Sequence, residues 1–175
     1  MSRAQAGVAL GMAAALAATI AIIAYGLSGA AALLGPEPPT LQTRIDVAIE
    51  AALLPLICLA AAIGVIANRR FFSATDIDGA GLTEPSRPVR IARAILENTA
   101  EQTLLAVPVY AGLALTGPPH ALALPLVLAG AFVIGRVLFT VGYARGAAAR
   151  SFGFALTFYP TVGALLVLAG RLTSL

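Results

Sequence analysis

Two stretches of this chain carry side chains that could do chemistry. Between residues 90 and 101, Arg90, Arg93, Glu97 and Glu101 fall three and four residues apart, with Asn98 among them. At 100° per residue on a helix, the four charged groups project within an arc of about 80°, and Asn98 lies beside that arc. Between residues 136 and 150, Arg136, Phe139 and Tyr143 repeat at helical spacing, and Arg150 joins their face if the helix runs on through Gly146-Ala147-Ala148-Ala149. Guanidinium forks bind carboxylates bidentately, so an arginine-rich pocket with few acids suits an anionic, carboxylate-bearing ligand. A thiol placed in such a pocket would also ionise more readily. The competing reading is an Arg–Glu ladder at i, i+4 that only ties helices together.

The elements that must hold these groups are apolar. Hydrophobic residues make up 59% of the 175 positions and charged residues only 11%, with a mean hydropathy of +0.93. A soluble domain of this length needs far less apolar surface, so the chain reads as an all-α integral membrane protein. About 20 apolar residues cross a hydrocarbon layer of about 30 Å, so there is length for four or five spans and one domain, residues 1–175. The expected spans are 4–36, 46–67, 89–115, 121–143 and 152–172. The first stands apart as an extra N-terminal helix, and residues 46–172 form the bundle. An ionised group at the bilayer centre costs on the order of 3 kcal/mol, so the charged face of the third span must turn toward protein or water.

Punctuation between the spans is clear. Gly35-Pro36-Glu37-Pro38-Pro39 ends the first, Asn68-Arg69-Arg70 the second, and Gly117-Pro118-Pro119 turns the third into the fourth. Asp46 and Glu50 sit in the expected first turns of the second span, where they would complement the helix dipole. Arg3 followed by an alanine-rich run resembles a signal peptide, but the uncharged stretch is too long for one, so the helix should be retained. Its Gly7-Val-Ala-Leu-Gly11 face favours close packing on the bundle. Arg3, Arg69, Arg70, Arg87, Arg90, Arg145 and Arg150 fall on one side of the five spans, against Arg44 and Arg171 on the other. The positive-inside rule then puts the N-terminus in the cytoplasm and the C-terminus outside.

Several features are weaker. Cys58, the single cysteine, lies in an apolar run, so no internal disulfide or cysteine metal site is possible, and it reads as a small hydrophobe. His120 is an interfacial turn residue. Asp76-Ile77-Asp78-Gly79 begins like a calcium loop but lacks the later ligands, which leaves a solvated loop and no metal site. The net charge of +3 reflects loop arginines, and without a basic patch interleaved with aromatics nucleic acid is excluded as a partner. All basic residues are arginine and the small residue is overwhelmingly alanine, as a GC-rich genome produces, which points to a bacterial inner membrane.

From about Leu54 to Leu172 the sequence resembles the MAPEG family, the membrane-associated proteins in eicosanoid and glutathione metabolism. The resemblance rests on Arg69-Arg70, on Asn98-Thr-Ala-Glu101 with Pro108, and most specifically on Arg136-Val-Leu-Phe139-Thr-Val-Gly142-Tyr143-Ala-Arg145 followed by Arg150. It implies a four-helix bundle assembled as a homotrimer, with glutathione as co-substrate bound between subunits near the cytoplasmic side. By position, Asn98, Glu101, Arg136 and Tyr143, together with Arg90 and Arg93, would hold glutathione, and Arg150 would stabilise its thiolate. Three positions depart from the pattern: Ala94 and Gln102 replace an expected arginine and tyrosine, and Phe139 lacks a tyrosine's hydroxyl.

The function this implies is a glutathione-dependent transferase or peroxidase acting on a lipophilic electrophile in the bilayer. The departures favour a second class, a non-catalytic relative that binds another anion or a protein. A third, a small transporter, lacks the internal repeat or broken mid-membrane helix that such proteins use.

Overall fold

The computed structural model describes residues 2–29, 38–79 and 82–173. Among them are five helices, α1 (Arg3–Leu27), α2 (Leu41–Phe71), α3 (Arg87–Thr116), α4 (Leu124–Tyr143) and α5 (Ala147–Leu172), and no strand. The expected helix break at Gly35–Glu37 and the end of the 4–36 span lie outside the described residues. The fold is all-α, with α2 to α5 packed as a bundle and α1 laid along α5 and α4.

Local chemistry starts the helices, though not always where the sequence suggested. Ser2 and Gln5 form a reciprocal capping box at the head of α1. The Thr40 hydroxyl accepts the Thr43 N–H at the head of α2. Because α2 begins at Leu41, Asp46 and Glu50 lie beyond its first turn. Asp46 instead accepts a side-chain bond from Gln42, one turn earlier, so the expected capping role is corrected.

The loop before α3 is also more organised than a solvated loop. Asp76 is buried at 2% exposure, takes the Ser73 hydroxyl, and accepts the Ser86 backbone N–H at 2.7 Å. Ser86 is the N-cap of α3, and its own side chain makes no capping bond. A carboxylate ten residues away therefore does that work, placed where the helix dipole favours negative charge. These hydrogen bonds, that of the Ser73 side chain first, hold the Asp76 carboxyl below its ordinary pKa.

At the opposite end, α3 is closed by cations. Arg44 donates to the carbonyls of Ala114 and Gly117 at 2.9 and 2.8 Å. Arg171 donates to the Thr116 carbonyl at 2.9 Å. These are the last carbonyls of α3, which have no partner within the helix. Arg44 and Arg171 thus meet at one end of the bundle.

Between these ends the core is built by Tyr110, Leu128 and Phe132, all fully buried, with Ala51, Ala106, Val109 and Ala164 filling the gaps. The Tyr110 hydroxyl bonds the Thr161 hydroxyl at 2.8 Å and ties α3 to α5. The outside is apolar: Leu10, Leu16 and Ile20 on α1, Ile49, Leu53 and Ile57 on α2, and Leu166 on α5 are all exposed. Such a surface needs a lipid solvent. Four helices are long and apolar enough to cross a membrane, and α3 falls short of that hydropathy. Its charged residues are the reason, yet it has 30 residues and packs along α2, α4 and α5 inside the bundle. The chain is an integral membrane protein.

The α4–α5 hairpin brings the second chemical stretch together. Gly146, with φ of 105°, supplies the left-handed turn. Beyond it, Gly153 lies directly against the Phe139 backbone nitrogen, where a Cβ has no room. The two helices can therefore approach almost backbone to backbone.

Candidate functional site

The hairpin end encloses a cleft of 390 Å³. From the bundle it is lined by Asn98 of α3, Phe139 and Tyr143 of α4, and Arg150 and Phe154 of α5. Val8 and Met12 of α1 complete the wall.

Arg150 does not reach this place as expected. Helix α4 ends at Tyr143 and does not continue to residue 150. Arg150 instead lies in the first turn of α5, and its guanidinium carbon sits 4.2 Å from the centroid of the Tyr143 ring. The chain reverses at Gly146 and brings back onto Tyr143 a residue that continuous helical spacing would also have placed on its face. The first turn of α5 has no side-chain cap, so its free N–H groups add to the positive potential beside Arg150.

Behind the cleft, Arg136 is buried at 4% exposure. It donates through Nη1 to Asn98 Oδ1 at 2.8 Å and through Nη2 to Thr157 Oγ1 at 2.7 Å. Its guanidinium lies 4.5 Å from the Phe139 ring centroid. Phe139 therefore offers a ring face where a tyrosine was expected. The Arg136 Nε is buried without a partner. Among the described residues the one ion pair is Arg93–Glu97, and no acid among them neutralises Arg136 or Arg150. Glu101 reaches Arg136 only through Asn98, whose Nδ2 lies 3.4 Å from Glu101 Oε2.

The charged face of α3 consequently divides. Asn98 turns inward to Arg136 and the cleft. Arg93 and Glu97 form an exposed i, i+4 pair at 2.9 Å, which is the ladder arrangement. Arg90 donates to the Pro85 carbonyl at 2.8 Å. Neither Arg90 nor Arg93 lines the cleft; Ala94 does. Glu101 is exposed, and Gln102 is buried in the bundle.

Thr157, Phe154, Val8 and Met12 were all missed by sequence reasoning. Thr157 lies seven residues, nearly two turns, beyond Arg150, and that spacing could have placed it on the same face of α5. Val8 and Met12 carry no chemical signal beyond their position one turn apart beside the Gly7–Gly11 face. A second cavity, also of 390 Å³, opens among α2, α3 and α4, with Cys58, Arg69, Thr99 and Arg136 in its wall. Among the described residues no group of His, Cys, Asp or Glu could hold a metal ion.

This is a positively charged, partly apolar cleft near one end of a membrane bundle, with a buried guanidinium behind it. No curated protein and no solved structure matches the chain. The sequence model of the MAPEG family matches residues 47–170, which takes in α3, α4 and most of α2 and α5 and leaves α1 outside. On that match, which spans well over half of its length, the chain belongs to the MAPEG family.

Proposed function

We propose that this protein is a glutathione-dependent membrane transferase, with peroxidase activity as a variant of the same chemistry, acting on lipophilic electrophiles. The observation that carries the reading is a cleft with Arg150 at its wall and Arg136 behind it, neither paired with an acid among the described residues. Two uncompensated guanidinium groups and an uncapped helix N-terminus fit a tripeptide with two carboxylates and an ionisable thiol.

In this reading Asn98 and Thr157 orient Arg136, Tyr143 holds Arg150 in place, and Arg150 stabilises the thiolate. Sulfur then forms a bond to carbon of the electrophile. With an unsaturated carbonyl the displaced electron pair moves to oxygen and the enolate takes up the proton released by the thiol; with an aryl halide the pair leaves as halide. The lone acid near the site, Glu101, would accept from the ligand's amino group. Arg90 and Arg93 serve the subunit surface rather than the ligand.

We further propose a homo-oligomer, a trimer by analogy with the family. Arg93, Glu97, Glu101 and Leu104 are exposed on one side of α3, and charges at membrane depth call for cover by a second copy. The arginine distribution supports an N-terminus in the cytoplasm and a bacterial inner-membrane location. Residues 1–175 would then form one membrane domain in which α1 is added to the family's four-helix bundle.

Calorimetry of the purified protein in mild detergent with glutathione tests the function. Saturable binding that Arg136→Ala weakens about tenfold or more is expected. Absence of binding to the wild type, together with no conjugation of an activated aryl halide, overturns it. Native mass spectrometry giving only monomers would overturn the assembly.

A further inference from the structure

Helix α1 lies outside the family match yet lies against the residues that matter. It runs along α5 and α4, and its register on α5 is set by two glycines. A Cβ on Gly7 would stand 2.8 Å from the Ala148 Cβ, and one on Gly11 would overlap the Ser151 hydroxyl and come within 3.1 Å of the Phe152 nitrogen. Arg150 lies between these contacts in the chain. The close approach of α1 to the first turns of α5 turns Val8 and Met12 into the cleft opposite Tyr143 and Phe154.

Val8 is half-buried and Met12 is 42% exposed. Neither is a core residue, and both present apolar surface to a space whose other walls carry Arg150 and Asn98. A cleft with a cationic end and an apolar side wall suits a ligand pair in which one member is charged and the other greasy. Methionine is unbranched and polarisable and adapts to varied apolar shapes.

We propose that α1 builds the subsite for the lipophilic co-substrate, with Val8 and Met12 as the specificity-determining residues that contact its apolar tail beside Arg150. This rests on the transferase reading for the nature of the co-substrate, but not for the existence of an apolar subsite. The occupant is an uncharged electrophile with an alkyl or aryl tail, delivered from the bilayer along the exposed flank of α1.

Met12→Trp tests this in the full-length protein, since a larger side chain narrows the cleft without opening the core. Leu16→Trp, one turn further along α1 at a 52% exposed position outside the cleft, is the control. With short and long 2-alkenals as acceptors, Met12→Trp should raise KM for the long chain about tenfold, the equivalent of roughly two methylenes no longer buried. KM for the short chain should rise less than KM for the long chain, so that the preference between the two shifts, and Leu16→Trp should leave that preference unchanged. Should Met12→Trp fail to fold, Val8→Phe narrows the same cleft from the preceding turn and should shift the profile in the same direction.

A second readout needs no thiol. The chain has no tryptophan, so Met12→Trp and Leu16→Trp each carry a single one that can be excited apart from the tyrosines. A bromine-labelled long-chain alcohol should quench Met12→Trp saturably and Leu16→Trp only in proportion to its concentration in the micelle. An unchanged chain-length profile in Met12→Trp, an equal shift in Leu16→Trp, or identical linear quenching of both overturns the subsite. If the wild type binds no glutathione, the transferase reading fails, and the quenching comparison still decides the subsite.

Discussion

Replacing Asn98 by leucine should destabilise the protein, and the loss should disappear when Arg136 is removed as well. Asn98 Oδ1 accepts the Arg136 Nη1 bond at 2.8 Å, while Nε already has no partner. Asn98→Leu therefore leaves a buried guanidinium held by Thr157 alone. A hydrogen bond to a charged group contributes about 1.5–3 kcal/mol, and stranding a buried charge adds to that cost, so a loss of about 2–3 kcal/mol is expected. Arg136→Met removes the charge together with its need for partners. Thr157 keeps a bond to the Phe154 carbonyl at 2.8 Å, so this variant should lose only about 1 kcal/mol. Adding Asn98→Leu to Arg136→Met should then cost little more, giving a coupling of about 2 kcal/mol. Neutral bonds between membrane helices average about 0.6 kcal/mol, so the size of the coupling separates a charged Arg136 from an ordinary polar contact. Reversible unfolding of the four proteins in mixed detergent micelles measures it. Additivity within about 0.5 kcal/mol would refute the view of Arg136 as a buried cation oriented by Asn98.

Other outcomes follow from single contacts. The Asp76 carboxyl is held below its unfolded value of about 3.9, first by the Ser73 hydroxyl. Its contribution is therefore present above that value and lost as pH falls through the lower folded pKa. Asp76→Asn should be less stable than wild type at neutral pH, and the gap, measured by thermal unfolding against pH, should close in strong acid. A constant gap would contradict the role. Arg44→Ala removes both bonds to the carbonyls at the end of α3, and should cost about 1–2 kcal/mol in the same micelle assay. Hydrogen exchange should rise at residues 113–117 and not at the head of α3.

How much of this was legible depended on whether a residue's role was local or tertiary. The apolar runs and proline-rich turns gave α2 to α5 to within about five residues, because length and hydropathy alone select membrane helices, whereas α1 ends at Leu27 and not at the end of its uncharged run. Arg136 and Asn98 were identified, since buried polar groups in apolar helices are costly enough to stand out. Arg150 was picked for the right place by the wrong route: helical spacing assumed one continuous helix, while Gly146 reverses the chain. Arg90 and Arg93 do not line the cleft, because a helical wheel gives a shared face but not what that face meets. Asp76 was read as solvated because its partners, Ser73 and Ser86, are not adjacent in sequence and only the folded loop joins them. The packing of α1 was suggested by Gly7 and Gly11, but the cleft that Val8 and Met12 close is a property of the assembled bundle.

The claim on which the account turns is that the positive cleft ionises a bound thiol, with Arg150 as the group responsible. Thiolate absorbance in the ultraviolet, titrated against pH with glutathione bound to wild type and to Arg150→Ala, addresses it directly. The wild type should titrate below the free thiol value of about 8.5. Arg150→Ala should move the midpoint back up by about one pH unit or more, equivalent to at least about 1.4 kcal/mol of lost thiolate stabilisation, with affinity largely kept by Arg136. Identical midpoints for the two proteins would contradict the assignment of Arg150.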